Sequence, residues 1–300
     1  MFEVDPKKTQ ERYEKLESLY LKKGLNADEF NCKFFEECKL SQNKCNIIKQ
    51  YAGGTAAISP FYDISYDGIP MRTMVIGKET GYMKNTEFGT SPNFYKNCNN
   101  VLNCINWVKK NNHIKGTLLT LQYIFQVKTE YIYASYALSN ILRCAFQDSA
   151  KSDNVSAVRD TAIMRKNCIH YLFDEIDILE PNLIICQGEW AIKGKEPFVE
   201  KVGKHYDIEV KCLRKNSNDK YGLYNVGDFY IITCHHPAIL GNWIKNLAPD
   251  SLWPSLDYLR EHGILPLIDK TCATEQYENL VKKNVDKIIE TLDSNDLLRK

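Results

Sequence analysis

The chain has 300 residues, 39 basic and 38 acidic, for a formal charge of +1. That balance excludes the global basic excess of a histone-like protein but not a local basic groove, and the length allows one large α/β domain or two small ones. No stretch approaches the length of a membrane span, and the amino terminus, Met-Phe-Glu-Val-Asp, lacks the basic and apolar regions of a secretory signal, so a cytoplasmic, soluble protein is expected.

In such a compartment the eleven cysteines are buried small hydrophobes, ligands or nucleophiles rather than a disulfide framework. Residues 6–25 put Tyr13, Leu16, Leu19 and Tyr20 on one helical face, with Gly24 as a stop. Residues 31–45 carry Cys32, Cys38 and Cys45 among lysines. They read either as free thiols in a loop or as part of a zinc or iron–sulfur site; with no C-x-x-C, spacing leaves both open. Residues 51–70 read as loop.

Next comes Met74-Val75-Ile76-Gly77-Lys78-Glu79-Thr80-Gly81-Tyr82. An apolar run ending in a Gly-bounded turn suits the centre of a parallel sheet covered on both faces. Glu79 then stands beyond the strand's carboxyl end, where open α/β sheets bind ligands. Residues 86–112 read as loop followed by helix. Residues 109–116 read as an exposed turn, in which Lys109 and Lys110 are phosphate contacts or plain solvated lysines.

Residues 117–144 are apolar with a helical period, and 165–179 form an amphipathic helix with Ile169, Leu172, Phe173 and Ile176 inward. The cleanest strand is 183–187, followed by a turn or helix opening at Gly188-Glu189-Trp190-Ala191. Residues 209–213 and 230–233 are further strands joined by a polar loop. The second delivers His235 and His236 at its end, and Cys186 and Cys234 sit inside apolar strands as core. A last helix at 274–292 buries Tyr277, Leu280, Val281, Val285, Ile288 and Ile289. Strands alternating with helices predict a single three-layer α/β/α sandwich with a mostly parallel central sheet, on which helices 6–25 and 274–292 are extensions.

Four segments resemble, in order, the motifs of the uracil-DNA glycosylase superfamily, most closely its four-cysteine iron–sulfur branch. Gly77-Lys78-Glu79-Thr80-Gly81 is similar to G-Q-D-P-Y or G-E-A-P-G. Asn140-Ile141-Leu142-Arg143-Cys144 is similar to N-V-V-K-C, and 180–191 to P-x-x-I-x-x-L-G-x-x-A. His236-Pro237-Ala238-Ile239-Leu240 is similar to H-P-S/A-x-L. The resemblance covers about residues 30 to 262. It implies a 4Fe-4S cluster on Cys32, Cys38, Cys144 and Cys168, with zinc as the alternative metal. The first pair is wider than the family's two-residue gap, and Cys45 is a candidate to replace one member.

The resemblance also implies roles for the other residues. Glu79 is the carboxylate beside C1′, His236 the donor to the departing base, and Asn140 the reader of the base edge. Phe88 is the stacking aromatic and Leu240 the wedge left in the duplex. Gly81 stands where some relatives close off the pyrimidine C5 face with a tyrosine. Either it admits a 5-modified base, such as a hypermodified pyrimidine of phage DNA, or Tyr82 closes the pocket instead. Lys78 reads as a phosphate contact or as a partner holding Glu79 ionised. The implied protein is a monomeric, monofunctional DNA glycosylase that flips a pyrimidine and leaves an abasic site, in DNA repair or antiviral defence. A non-catalytic nucleic-acid-binding module on the same fold and an unrelated zinc or iron–sulfur protein are the rival readings.

Overall fold

The apolar runs at 74–76, 183–186 and 231–234 become adjacent strands at the centre of a seven-stranded sheet. The structure, a computed structural model, describes residues 1–25, 31–41, 47–52, 56–77, 112–148, 161–193, 196–237 and 239–294, and at 47–52, 144–148 and 285–294 it describes the backbone. In chain order the strands are β1 (Phe2–Val4), β2 (Ile47–Ala52), β3 (Ala57–Ile58), β4 (Ile64–Tyr66), β5 (Ile69–Pro70), β6 (Thr73–Gly77), β7 (Ala137–Asn140), β8 (Cys144–Asp148), β9 (Leu183–Gln187), β10 (Val210–Lys215), β11 (Gly222–Val226) and β12 (Phe229–Cys234). The principal helices are α1 (Pro6–Lys23), α2 (Phe35–Leu40), α3 (Asn112–Phe125), α4 (Ala162–Leu179), α5 (Phe198–Tyr206), α6 (Trp253–Glu261) and α7 (Ala273–Ser294).

The large sheet has the order β10-β11-β12-β9-β6-β7-β3. Its four central strands, β12, β9, β6 and β7, run parallel, and the edges are antiparallel. Side chains alternate across it, as the pleat requires. Met74, Ile76, Ile184, Cys186 and Ile231 pack with Leu16, Leu172, Ile176 and Val202 on one face. Val75, Leu183, Ile185, Ile232 and Cys234 pack with Leu121, Phe125, Leu256 and Tyr277 on the other. The result is the expected three-layer α/β/α architecture with a mostly parallel centre. Among the described residues no helix is long and apolar enough to cross a membrane.

The end helices belong to these layers. Tyr13, Leu16 and Tyr20 of α1 are buried, and so are Tyr277 and Val281 of α7. Arg12 fixes α1 to the end of α4: its Nε donates to Asp63 at 3.0 Å, Nη1 to the Ile178 carbonyl at 2.5 Å and Nη2 to Glu180 at 2.9 Å. Helix α4 starts where Thr161 accepts from the Met164 N–H at 3.1 Å, and ends at Glu180 in a left-handed conformation before Pro181.

Several sequence expectations need correction. The helical reading of 117–144 holds through Phe125; a 3-10 segment, Glu130–Ser135, and strand β7 follow, so Asn140 ends a strand. Residues 112–116 are the first turn of α3 rather than an exposed turn, and Gly116 is buried. The polar loop before 230–233 contains β11, and the loop read at 51–70 contains three two- or three-residue strands.

Candidate active site

Because β6, β7, β9 and β12 share one direction, Gly77, Asn140, Gln187 and Cys234 end them along one edge, with Gly77 paired to Asn140 and Gln187 to Cys234. Glycine at 77 is required by proximity. A Cβ there would lie 2.7 Å from Asn140 Oδ1 and 3.8 Å from His113 Cε1. The absent side chain therefore lets the buried Asn140 amide lie across the end of β6, and brings the first turn of α3 to the same point. The Ile141 N–H donates to the Gly77 carbonyl at 3.0 Å, holding the two strand ends together.

A second pair of ends is tied alongside. Gly188, with φ of 116°, adopts a conformation closed to side chains, and its N–H donates to the Cys234 carbonyl at 2.8 Å. Trp190 Nε1 donates to the Gln187 carbonyl at 2.9 Å, and Trp243 Nε1 to the His235 carbonyl at 3.0 Å. These bonds set the path of the two histidines. His235 lies against Tyr221, ring centroids 4.1 Å apart; His236 stacks on His113 at 4.8 Å with the planes 7° apart. It is thus His236, not His235, that stacks on the ring lying beside Gly77.

Helix α3 is seated on this edge by small contacts. Thr117 Oγ1 donates to Gln187 Oε1 at 3.4 Å, and a Cβ on Gly116 would overlap Pro237. In an open helical site Gly→Ala gains about 1 kcal/mol. Here Gly116→Ala is expected instead to destabilise by about 1–3 kcal/mol, the cost of overpacking, as a lower urea midpoint at unchanged m-value.

Burial sets the electrostatics. It draws the His113 pKa down to about 4, with the adjacent His236 adding to the effect, and draws His236 itself below the usual imidazole value although that residue keeps solvent access. His235 is also lowered by burial, against the opposing pull of Asp250 and Glu189. Both stacked rings are thus neutral at pH 7, when an imidazole carries one N–H donor and one acceptor.

Glu79, Gly81, Tyr82 and Phe88 lie outside the described residues, as do Lys78, Cys45, Lys109 and Lys110. Leu240 is partly buried and packs on the core, whereas its neighbour Ile239 is 71 % exposed at the start of the helical run 240–251.

Of the implied ligand cysteines, Cys32, Cys38 and Cys168 lie on the other side of the sheet, in the layer of α1 and α4. Cys32, Cys38 and Cys168 are all buried and close enough to act on one another electrostatically. Burial raises the Cys168 thiol to about 11, while a bond from the Arg143 backbone N–H opposes the rise. Asn167 Nδ2 donates to Cys38 Sγ at 3.6 Å, and Tyr171 OH lies 3.6 Å from Cys32 Sγ. Cys144 opens β8, next to Arg143. Among the described residues, which omit the Cys144 side chain, no three His, Cys, Asp or Glu side chains are arranged to hold an ion. Cys32, Cys38 and Cys168 still fit a cluster in kind: they are soft sulfurs, shielded from water, each met by an N–H or O–H group of the sort that tunes such centres.

His113, Gly116, Tyr171 and Asn167 were not singled out by sequence reasoning. The available signal was His113-x-x-Gly116 at a helix start, which puts the imidazole and the gap on one face. No family model and no curated protein matches the chain.

Proposed function

We propose that the protein is a DNA glycosylase of the uracil-DNA glycosylase type, hydrolysing the N-glycosidic bond of a flipped pyrimidine. One observation carries this reading. Three segments far apart in sequence, carrying Gly77, Asn140 and His236, come together at the carboxyl edge of a parallel sheet: the buried Asn140 amide lies against Gly77, and His236 stacks on the His113 ring beside that glycine.

The chemistry needs two kinds of group. As the C1′–N1 bond breaks, its electron pair leaves with the base and positive charge develops on the sugar. Glu79, two residues after Gly77, is assigned to stabilise that charge and to take a proton from the water that adds to C1′. Neutral His236 donates an N–H to O2 of the departing pyrimidine, as an oxyanion-hole donor would. Asn140 offers an amide donor and acceptor to the base edge. For the wedge that fills the vacated stack, exposed Ile239 is better suited than Leu240, which the core already holds. Phe88 is assigned to stack on the base, and Gly81 and Tyr82 to set how large a C5 substituent is accepted.

Cys32, Cys38, Cys144 and Cys168 would hold a 4Fe-4S cluster, which when bound would join the 31–41 segment to α4 and β8 and so contribute to folding. Zinc is the alternative occupant.

The test uses the protein purified anaerobically. Duplex and single-stranded DNAs containing uracil, thymine or 5-substituted pyrimidines are incubated with it, and released bases are identified by mass. Release of one base class, with yield falling as salt rises because phosphate contacts release counterions, is the expected result. Iron and acid-labile sulfide are measured on the same sample. Binding without release favours the non-catalytic module; neither binding nor release removes DNA as the partner; a sample free of iron removes the cluster.

A further inference from the structure

Nothing in the glycosylase chemistry above calls for a second histidine, yet one lies flat against the first. The two rings are 7° from parallel with centroids 4.8 Å apart, and the arrangement is built from both sides. On α3, His113 and Gly116 are three residues apart and share a face. On the segment after β12, His236 and Pro237 are consecutive. His113 meets His236, and Gly116, by lacking a side chain, lets Pro237 against the helix. One turn on, Thr117 bonds to Gln187, so the helix is held at three successive points.

The other side of His236 is open, since the residue is exposed and Gly188 there carries no side chain. A Cβ on Gly188 would lie 3.6 Å from His236 Cβ and 3.8 Å from its Cδ2, and Trp243 holds the preceding carbonyl. The imidazole thus has the His113 ring against one face and the Gly188 turn near its base. Nearby charge bears on the neighbouring residue: Asp250, Glu189 and Lys220 act on His235.

We propose that His113 is a positioning residue for His236: its stacked ring fixes the plane of the His236 imidazole and covers one face of it, so that His236 meets a ligand as an oriented, neutral donor. The proposal rests on the glycosylase reading for the identity of that ligand, a flipped pyrimidine, but the stacking itself does not. A cation in either ring would disfavour the pair by desolvation and by repulsion if both were charged, consistent with the lowered pKa of each. His113 touches no reacting atom in this account; it acts through His236.

The experiment follows His236 by NMR in full-length protein with isotope-labelled histidine, comparing wild type, His113→Phe and His113→Ala. Phenylalanine keeps a flat ring of similar size and cannot be protonated; alanine removes the cover. In wild type and His113→Phe, the His236 midpoint is expected to stay below the ordinary imidazole value of about 6.5. In His113→Ala it is expected to rise toward that value, with the ring-current shift of its Cε1 proton lost. An amide fingerprint unchanged in His113→Phe establishes that the fold is intact, should the alanine variant unfold. A His236 midpoint and shift unaffected by His113→Ala would overturn the proposal, and so would a His113→Phe protein that is folded but titrates at the ordinary value. Base release is scored separately: no release from any DNA with the His236 shift intact would remove the glycosylase reading and leave the positioning role standing.

Discussion

Glu175→Ala is expected to lower the unfolding free energy by about 3–5 kcal/mol, the range for removing one partner of a buried ion pair. Glu175 and Arg143 side chains are both fully buried. The carboxylate accepts from Arg143 Nη1 at 2.9 Å and Nη2 at 3.0 Å, Ser139 Oγ at 2.6 Å, Tyr20 OH at 2.7 Å and the Ala56 N–H at 3.1 Å. Burial pushes its pKa up, and those donors, Arg143 foremost, pull it back. Without the carboxylate, Arg143 keeps the Ser139 hydroxyl as an acceptor, 3.0 Å from Nη1, but is a buried cation that has lost its counter-charge. The double variant Glu175→Leu with Arg143→Met removes both charges, so most of the loss should be recovered; a urea-denaturation cycle measures the coupling. The half-exposed Lys23–Asp174 pair at 3.2 Å is the contrast, since such pairs contribute about 0–1 kcal/mol. A Glu175→Ala cost in that lower range would mean that the network stabilises little.

Glu79→Gln is expected to slow the chemical step by about 10²-fold or more, the usual range for a positioned acid or base, while DNA binding survives because shape and hydrogen bonding are kept. His236→Ala should also slow cleavage, with a penalty that shrinks for bases that are better leaving groups, since its assigned task is to assist departure. Asn140→Ala should instead change which base is accepted. Single-turnover measurements with enzyme in excess keep binding defects from passing as chemistry. Equal rates for wild type and Glu79→Gln on the true substrate would take the carboxylate out of the reaction and favour the binding-module reading.

What could be read from the sequence follows from where the information lies. β6, β9 and β12 were legible because strands buried on both faces are continuous apolar runs. α4 was legible because Ile169, Leu172, Phe173, Ile176 and Leu179 keep a helical period over about three turns. β7 was not: Ala137–Asn140 is four residues long and follows an apolar helix, so its alternation is too brief to separate from the helical pattern. β11 begins at Gly222 and includes Asn225, residues that weaken a strand signal. Within the candidate site, Gly77, Asn140 and His236 were found because each opens a motif-like segment. His113 was read as part of an exposed turn because what buries it, His236 and the strand ends, lies far away in the chain. Local pattern cannot carry such a contact. The same holds for Arg12 and Glu175, charged residues whose burial depends on partners between 32 and 168 positions distant.

The position of β6 also has a consequence in time. It is central in the sheet but early in the chain, and its register partners are Ala137 through Asn140 on one side and Leu183 through Cys186 on the other. During synthesis, Met74, Val75 and Ile76 leave the ribosome with neither neighbour yet made. At about 5–20 residues per second, on the order of ten seconds pass before Ile184 exists to pair with Met74. Until Ala137 is made this fully buried strand is an apolar segment with two open edges, and until Ile184 is made it still has one. This is the stretch a nascent-chain chaperone would engage, and the one through which two incomplete chains would adhere.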